Sequence, residues 1–473
     1  MPTHIAILGA GPGGYVAAIR AAQLGARVTV IEQQALGGVC LNWGCIPSKA
    51  LLSVVELGDK LKKADDLGLM LSGQPRYDLA RMVARKNKVV ASLVKGIATL
   101  FNAWKIEVVE GRGRLVDART IAVAASDGTE RQVQADAVVI ATGSSWPQLA
   151  QFPVDGTTII TSKQALNLQT APPRMIILGA GVEGCECASL FSGLGTQVTV
   201  VELQSAVLPL EDEDVSILMA RELKKRGVDV RTGTTIQEVQ VRDGLVRAQL
   251  KDGSTCEAEM LLVSIGRGFQ SKDVGLDTAG VAVGRRGEIL VDEKMETNVP
   301  GVYAIGDVVG KAMLAHVASA QGKVAVENIM GHPTTIRYDV IPAGIFTLPE
   351  VGRVGLTERQ AREQAQAAGR DPEQAVQVGR FRYAALGKAQ ATGDITGLFK
   401  VVADAHSGRL LGAHIVGAHA ADLIHEAALA MESGATVSTI AHMIHAHPTL
   451  AEGFVEAVED VTGSAVHQLT KKP

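Results

Sequence analysis

The chain has 473 residues, about three times the roughly 150 of a typical domain, so a single compact domain is not expected. Its 46 basic and 50 acidic side chains give a net charge of −4, which supplies neither a broad basic footprint for nucleic acid nor a polybasic anchor for an anionic membrane. With 47% hydrophobic and 20% charged residues, disorder is excluded. The 51 glycines point to many tight turns and close backbone approaches.

Met1-Pro2-Thr3-His4 carries no basic segment, and the apolar run Ile5–Leu8 stops at Gly9, too short for a secretory signal. No uncharged apolar run elsewhere reaches the roughly 18 residues of a membrane-spanning helix. The expectation is a soluble, cytoplasmic protein with no nucleic-acid or membrane partner. Of the five cysteines, Cys40 and Cys45 lie five residues apart. In a large soluble chain that spacing fits a reactive or redox use better than a secreted disulfide framework.

The first elements read as strand Ile5–Leu8, glycine turn Gly9-Ala10-Gly11-Pro12-Gly13-Gly14, an alanine-rich helix to Leu24, and strand Val28–Glu32. The plan returns at Met175–Leu178, Gly179-Ala180-Gly181-Val182-Glu183-Gly184, a helix to Leu194, and Val198–Glu202. Gly9, Gly11, Gly14, Gly25 and Glu32 each have a counterpart 170 residues on, in Gly179, Gly181, Gly184, Gly195 and Glu202. One such glycine pattern is as easily an ordinary turn. Two in full strand–helix–strand context fit paired dinucleotide-binding units. There the first glycine allows the turn, the second lets a pyrophosphate approach, and the third lets helix pack on strand. Glu32 and Glu202 would accept from ribose hydroxyls, and a carboxylate at 202 favours NAD over NADP.

Between the repeats, Ala137–Gly143 reads as a buried strand and turn, and Met260–Gly266 is its later match. Pro147, Pro153 and Pro172-Pro173 punctuate the link. Val302–Asp307 reads as a buried strand ending at an Asp. Beyond Pro349 come strands at Gly397–Val402 and Leu410–Val416 and an amphipathic helix at Asp422–Met431. The predicted fold is α/β: two tandem Rossmann-like dinucleotide-binding domains and a C-terminal α+β domain that forms a dimer. The expected divisions are 1–148, 149–275, 276–345 and 346–473.

Cys40 and Cys45 are spaced so that a disulfide is feasible. The competing readings are half of a zinc site and two buried thiols. Cys185, Cys187 and Cys256 supply no convincing second zinc pair, and Cys185 and Cys187 read as small packing residues of the second glycine-turn helix. Near the C-terminus His447 and Glu452 could act as a base and its orienting carboxylate. A core histidine ranks second, and a metal patch with His442 and His445 a distant third.

The string Gly37-Gly38-Val39-Cys40 through Cys45 to Lys49, the string Ala304-Ile305-Gly306-Asp307 followed by Met313-Leu314-Ala315-His316, and the string His445-Ala446-His447-Pro448-Thr449-Leu450-Ala451-Glu452 together resemble the pyridine nucleotide-disulfide oxidoreductases over essentially the whole chain. The resemblance implies FAD on the first unit, held by Gly9, Gly11, Gly14, Glu32, Lys49, Gly113, Thr142, Gly143, Ser144, Asp307 and Met313, Leu314, Ala315 and His316. It implies NAD on the second, held by Gly179, Gly181, Gly184, Glu202 and Gly266. Cys40 would exchange with substrate, Cys45 would contact the flavin, and Glu186 would pair with Lys49 beside it. His447 and Glu452 would arrive from the partner subunit of a homodimer.

The implied activity is oxidation of protein-bound dihydrolipoyl groups with reduction of NAD, for a lipoyl-bearing protein of a multienzyme complex. The alternative is a related NAD(P)H-dependent flavin disulfide reductase acting on a different thiol. Three positions depart from the family: Trp43 between the cysteines, Val317 after His316, and Glu183 in the second glycine turn. Glu183 is expected to weaken NAD binding by repelling the pyrophosphate.

Overall fold

The computed structural model describes residues 1–73 and 75–469. Its first layer is a five-stranded parallel sheet ordered Val302–Ala304, Ala137–Ile140, His4–Leu8, Arg27–Glu32, Glu107–Glu110. The second is a five-stranded parallel sheet ordered Asp229–Thr232, Gln197–Glu202, Arg174–Leu178, Met260–Val263, Ile159–Ile160. The central strands of both sheets, such as His4–Leu8, Ala137–Ile140, Arg174–Leu178 and Met260–Val263, are nearly continuous apolar runs, as sheets covered on both faces require. Ile5, Ala6, Ile7, Ile177, Val200 and Leu262 are fully buried.

The internal repeat is thus a structural repeat. In each half the strand before the glycine turn sits mid-sheet, and its helix, Pro12–Gln23 or Val182–Gly193, crosses to the next parallel strand. Each half also carries a three-stranded antiparallel meander, at 112–134 and 236–258. The halves are stitched together by a two-stranded ladder of Ser144–Ser145 with Gly268–Phe269.

Val302–Ala304 returns the chain to the first sheet after the second is complete. The helix Ala315–Ile329 then lies against Pro12–Gln23, and the contact is so close that a Cβ on Gly322 would meet Gly13 O at 2.7 Å. The C-terminal part is a five-stranded antiparallel sheet, Ala343–Ile345, Glu350–Gly355, Leu410–Gly417, Leu398–Asp404, Val376–Arg382. Helices Ala420–Ser433 and Glu452–Asp460 pack on it. The expected strands and helix of this region are present: Leu398–Asp404 begins one residue later and ends two later than expected, Leu410–Gly417 ends one later, and the helix is two residues longer at each end.

The stretch Gly38–Lys62 is, by length and composition, apolar enough to cross a membrane. It is in fact two helices, Gly38–Trp43 and Cys45–Lys62, broken at Gly44. Leu51, Leu52 and Val55 of the second pack in the core beneath the second parallel sheet.

Candidate active site

A cleft of about 1270 Å³ runs between the two parallel-sheet units. Its walls include Gly9, Gly11, Glu32, Cys40, Cys45, Lys49, Gly113, Thr142, Gly143, Ser144, Gly181, Glu186, Gly266, Asp307 and Met313 to His316. Residues spread over three hundred positions of sequence therefore meet in one cavity.

The glycine turns show why each glycine is there. A Cβ on Gly9 would meet Ala141 O at 2.4 Å, and one on Gly14 would meet Gly9 O at 1.9 Å. In the second copy Gly179 would meet Ser264 O at 2.1 Å and Gly184 would meet Gly179 O at 2.0 Å. These glycines let the chain pack on itself. Gly11 and Gly181 have nothing within 4 Å. Each opens a helix N-terminus onto free space, the arrangement that accepts a phosphate. Gly14, Gly179 and Gly184 accordingly lie behind the cleft wall.

Glu32 accepts from the Ala10 and Gln34 N–H groups, both at 2.8 Å. Glu202 accepts from Ala180 and Gln204, both at 2.7 Å. Each carboxylate thereby clamps its glycine loop to the end of the second strand and keeps lone pairs for a hydroxyl. Glu202 is itself buried and lies outside the cleft wall. On the first unit, Thr142 donates to Gln270 O at 2.7 Å and the Ser144 hydroxyl donates to Asp307. His316 Nε2 lies 2.7 Å from Pro342 O. Gly113 packs so tightly that a Cβ would meet Leu8 at 2.4 Å.

The cysteines sit across the break at Gly44. Gly37 and Gly38, at φ of +89° and +58°, bring this helix against the first turn, where a Cβ on Gly38 would lie 2.7 Å from Gly11 Cα. Cys45 opens the helix Cys45–Lys62, whose N-terminal end favours an anion. The two thiols are hydrogen-bonded to each other, which brings Cys45 down to about 7 and pushes Cys40 up; burial opposes the fall at Cys45, and Lys49 adds to it. The pair is thus polarised, with the thiolate favoured at Cys45 over Cys40.

Lys49 lies one helical turn on. Its Nζ reaches both Glu186 oxygens at 2.8 Å and stands 4.4 Å from the Phe346 ring. Glu186, nearly fully buried, also accepts from Ser48 at 3.3 Å and from the Phe346 N–H at 3.0 Å. The pair joins the first unit to the glycine-turn helix of the second.

His447 and Glu452 are not in the cleft. His447 Nδ1 is 2.8 Å from Glu452 Oε1, and the imidazole is 75% exposed. Burial opposes ionisation of Glu452, but the Thr449 N–H and His447 outweigh it and hold the carboxyl below its ordinary value. His445 Nε2 instead meets Glu426 at 2.7 Å, and among the described residues no His, Cys, Asp and Glu group has the arrangement of a metal site. Cys185 and Cys187 are buried in the helix Val182–Gly193, although Cys187 reaches the cleft wall.

Glu183 lies in the cleft wall, where burial and the nearby Glu186 push its carboxyl above the ordinary value against the pull of Ser162, Arg267 and Lys49. Trp43 lines the cleft with Lys163 Nζ 4.8 Å from its ring, and Val317 is buried in the helix Ala315–Ile329. Arg267 was not anticipated: it donates to Ser144 Oγ at 2.8 Å and Ser144 O at 2.7 Å, and its guanidinium lies 4.5 Å from the Trp146 ring. Its place directly after Gly266 is the one sequence signal that could have drawn attention to it.

Two glycine-turn units facing one cleft that holds a polarised cysteine pair define a two-nucleotide dithiol oxidoreductase. Residues 3–322 match the pyridine nucleotide-disulphide oxidoreductase family, and residues 341–458 match that family's dimerisation domain. The chain is 41% identical to the dihydrolipoyl dehydrogenase of Thermus scotoductus, covering 98% of each, and 40% identical to that of Chlamydia muridarum, covering 98% of this chain and 97% of the relative. The crystal structure of LpdA from Mycobacterium tuberculosis superposes with a TM-score of 0.89 at 30% identity, covering 97% of this chain and 99% of that one. The chain belongs to the pyridine nucleotide-disulfide oxidoreductases. It is an oxidoreductase and a flavoprotein, with FAD and NAD as cofactors.

Proposed function

We propose that the protein oxidises protein-bound dihydrolipoyl groups to the cyclic disulfide and reduces NAD, as the dehydrogenase of a 2-oxo acid dehydrogenase or glycine cleavage complex, working as a cytoplasmic homodimer. The observation that carries this is the convergence of Cys40, Cys45 and the Lys49–Glu186 pair with both glycine turns in one cleft. Full-length similarity to dihydrolipoyl dehydrogenases supports the choice of dithiol. The chain divides for this work into a FAD unit at 1–148, a NAD unit at 149–275, a segment at 276–345 completing the FAD site, and an interface unit at 346–473.

Gly9, Gly11, Glu32, Gly113, Thr142, Gly143, Ser144, Asp307 and Met313 to His316 would hold FAD, with Lys49 beside it and Gly14 closing the turn from behind. Gly181, Glu202 and Gly266 would hold NAD, with Gly179 and Gly184 shaping the turn behind them. When bound, the two cofactors supply the hydride chemistry that carries an electron pair away from the dithiol.

The protein's own part is thiol exchange. A substrate thiolate attacks Cys40 in the oxidised pair, forming a mixed disulfide and releasing Cys45 as thiolate. The second substrate sulfur then displaces Cys40, so the substrate leaves as a disulfide and the enzyme keeps two electrons as a Cys40 thiol and a Cys45 thiolate. Of the two substrate protons, one stays on Cys40 and the other is taken by His447 and passed to solvent.

His447 performs this step for the other subunit. Its ring is exposed, three residues after Ile444 at 95% exposure, the pattern of a surface made to be covered by a second copy. Assay of purified protein with dihydrolipoamide and NAD, and with NADP in parallel, tests the reading. Rapid NADH formation that NADP does not support is expected. A flavin-bearing protein with no turnover on dihydrolipoamide would move the substrate to another thiol.

A further inference from the structure

Lys49 comes from the first parallel-sheet unit and Glu186 from the second. The residue that closes their ion pair, Phe346, comes from the C-terminal part, within the stretch that matches the family's dimerisation domain. The antiparallel ladder of Ala343–Ile345 with Glu350–Gly355 ends where Ile345 faces Val351. The next N–H, that of Phe346, is therefore not spent on the sheet and donates to Glu186 Oε1 at 3.0 Å. Thr347 Oγ1 donates to Pro349 O at 2.7 Å and holds the turn that follows. Behind the ring, Gly344 makes room, because a Cβ there would lie 3.2 Å from Phe346 Cε2. The ring is thereby set in one place, 4.4 Å from Lys49 Nζ, and both residues line the redox cleft.

The two contacts act in the same direction. Glu186 accepts from the Lys49 ammonium at 2.8 Å through both oxygens, from Ser48 at 3.3 Å and from the Phe346 N–H. Each donor other than Lys49 draws on the carboxylate's charge and leaves less of it to cancel the ammonium. The negative face of the ring meets the ammonium on a side the carboxylate leaves open, and an apolar ring there keeps water from that side. A charge with less water around it acts through a lower effective dielectric and is felt more strongly by its neighbours.

We propose that Phe346 is a positioning residue of the redox centre: its ring and N–H keep the Lys49 ammonium fixed, shielded and incompletely neutralised, so that the C-terminal unit sets the positive field in which the flavin takes up electrons. This rests on the placement of Lys49 beside the flavin. A chain whose C-terminal unit is not seated would then hold a flavin that is harder to reduce.

The test uses flavin-loaded protein carrying Cys45→Ser, in which the dithiol is disabled and the flavin accepts the electron pair alone. The protein is equilibrated with a reduced reference dye of known potential. The dye gives up two electrons, the flavin takes them with a proton from solvent, and bleaching of the flavin reads the equilibrium. Phe346→Leu, which keeps the N–H and removes the ring face, is expected to make reduction about tenfold less favourable, a potential lower by about 30 mV for a two-electron couple. Phe346→Tyr keeps the ring face and the potential. Phe346→Met also lacks the face and is read in the same way if the Leu variant fails to fold. Glu186→Gln, which removes the counter-charge, is expected to raise the potential. A rise in Glu186→Gln with no fall in Phe346→Leu, or an equal fall in the Leu and Tyr variants, overturns the proposal alone. No response to Glu186→Gln overturns the placement of Lys49 beside the flavin, and the proposal with it.

Discussion

Cys45 is reactive because of where the chain puts it: at the first position of a helix, hydrogen-bonded to Cys40, with Lys49 one turn away. Cys45→Ser is expected to keep the flavin spectrum and lose dithiol oxidation; retained turnover would rule out the disulfide mechanism. Glu452 orients His447 from 2.8 Å, so Glu452→Gln is expected to lower kcat by roughly a hundredfold, with flavin content unchanged. The cysteines and the glycines were legible in the sequence because their spacings are local. Lys49 and its pairing with Glu186 were legible only through the family resemblance. The hydrogen bond from Trp146 to Ser162 and the stacking of Arg267 on Trp146 were not legible at all, since Trp146 and Arg267 come from separate loops, Ser162 opens the helix Ser162–Ala165, and no periodicity links them.

At the scale of the elements, the glycine turns separate two functions that one motif conceals. Gly184→Ala would drive a Cβ to 2.0 Å from Gly179 O, whereas Gly181→Ala meets nothing within 4 Å. Gly181→Ala is therefore expected to leave the melting temperature nearly unchanged and weaken NAD binding in a titration. Gly184→Ala is expected to lower the melting temperature itself.

A second element-scale feature, invisible in sequence, is the lock between the second parallel-sheet unit and the C-terminal sheet. Lys400, 2% exposed, contacts Asp212 and Asp214 at 2.7 Å and Glu358 at 2.8 Å. Lys400→Ala would leave the buried Asp212 without its ion pair, while Asp214 and Glu358 keep Arg380, and is expected to cost about 3 kcal/mol in a denaturation experiment. Burial opposes ionisation of Asp212, but His414, Lys400 and the Glu358 N–H hold its carboxyl below the ordinary range. A carboxylate with a depressed folded pKa stabilises above its unfolded value of about 3.9 and loses that contribution as pH falls through the folded one. The lock is therefore expected to weaken on acidification, read as a falling denaturation midpoint in the unmodified protein that is shallower in Lys400→Ala.

At the scale of the whole molecule, the repeat seen in the sequence became two parallel sheets, and the cleft lies where their glycine turns face each other. The return of Val302–Ala304 to the first sheet escaped the sequence as a topological fact, because a buried strand carries no label of the sheet it joins. The exposed His447, three residues after the exposed Ile444, gives the strongest reason to expect that one chain is half of a working enzyme. Mixing Cys45→Ser and His447→Gln subunits, unfolding them together and refolding them tests this most directly. Each variant alone should be nearly inactive in NADH formation from dihydrolipoamide. The refolded mixture is expected to recover about a quarter of the unmodified activity, because about half of the dimers pair one intact cysteine site with the partner's intact histidine. No recovery, in a mixture shown to contain hybrid dimers, would contradict a site shared between subunits.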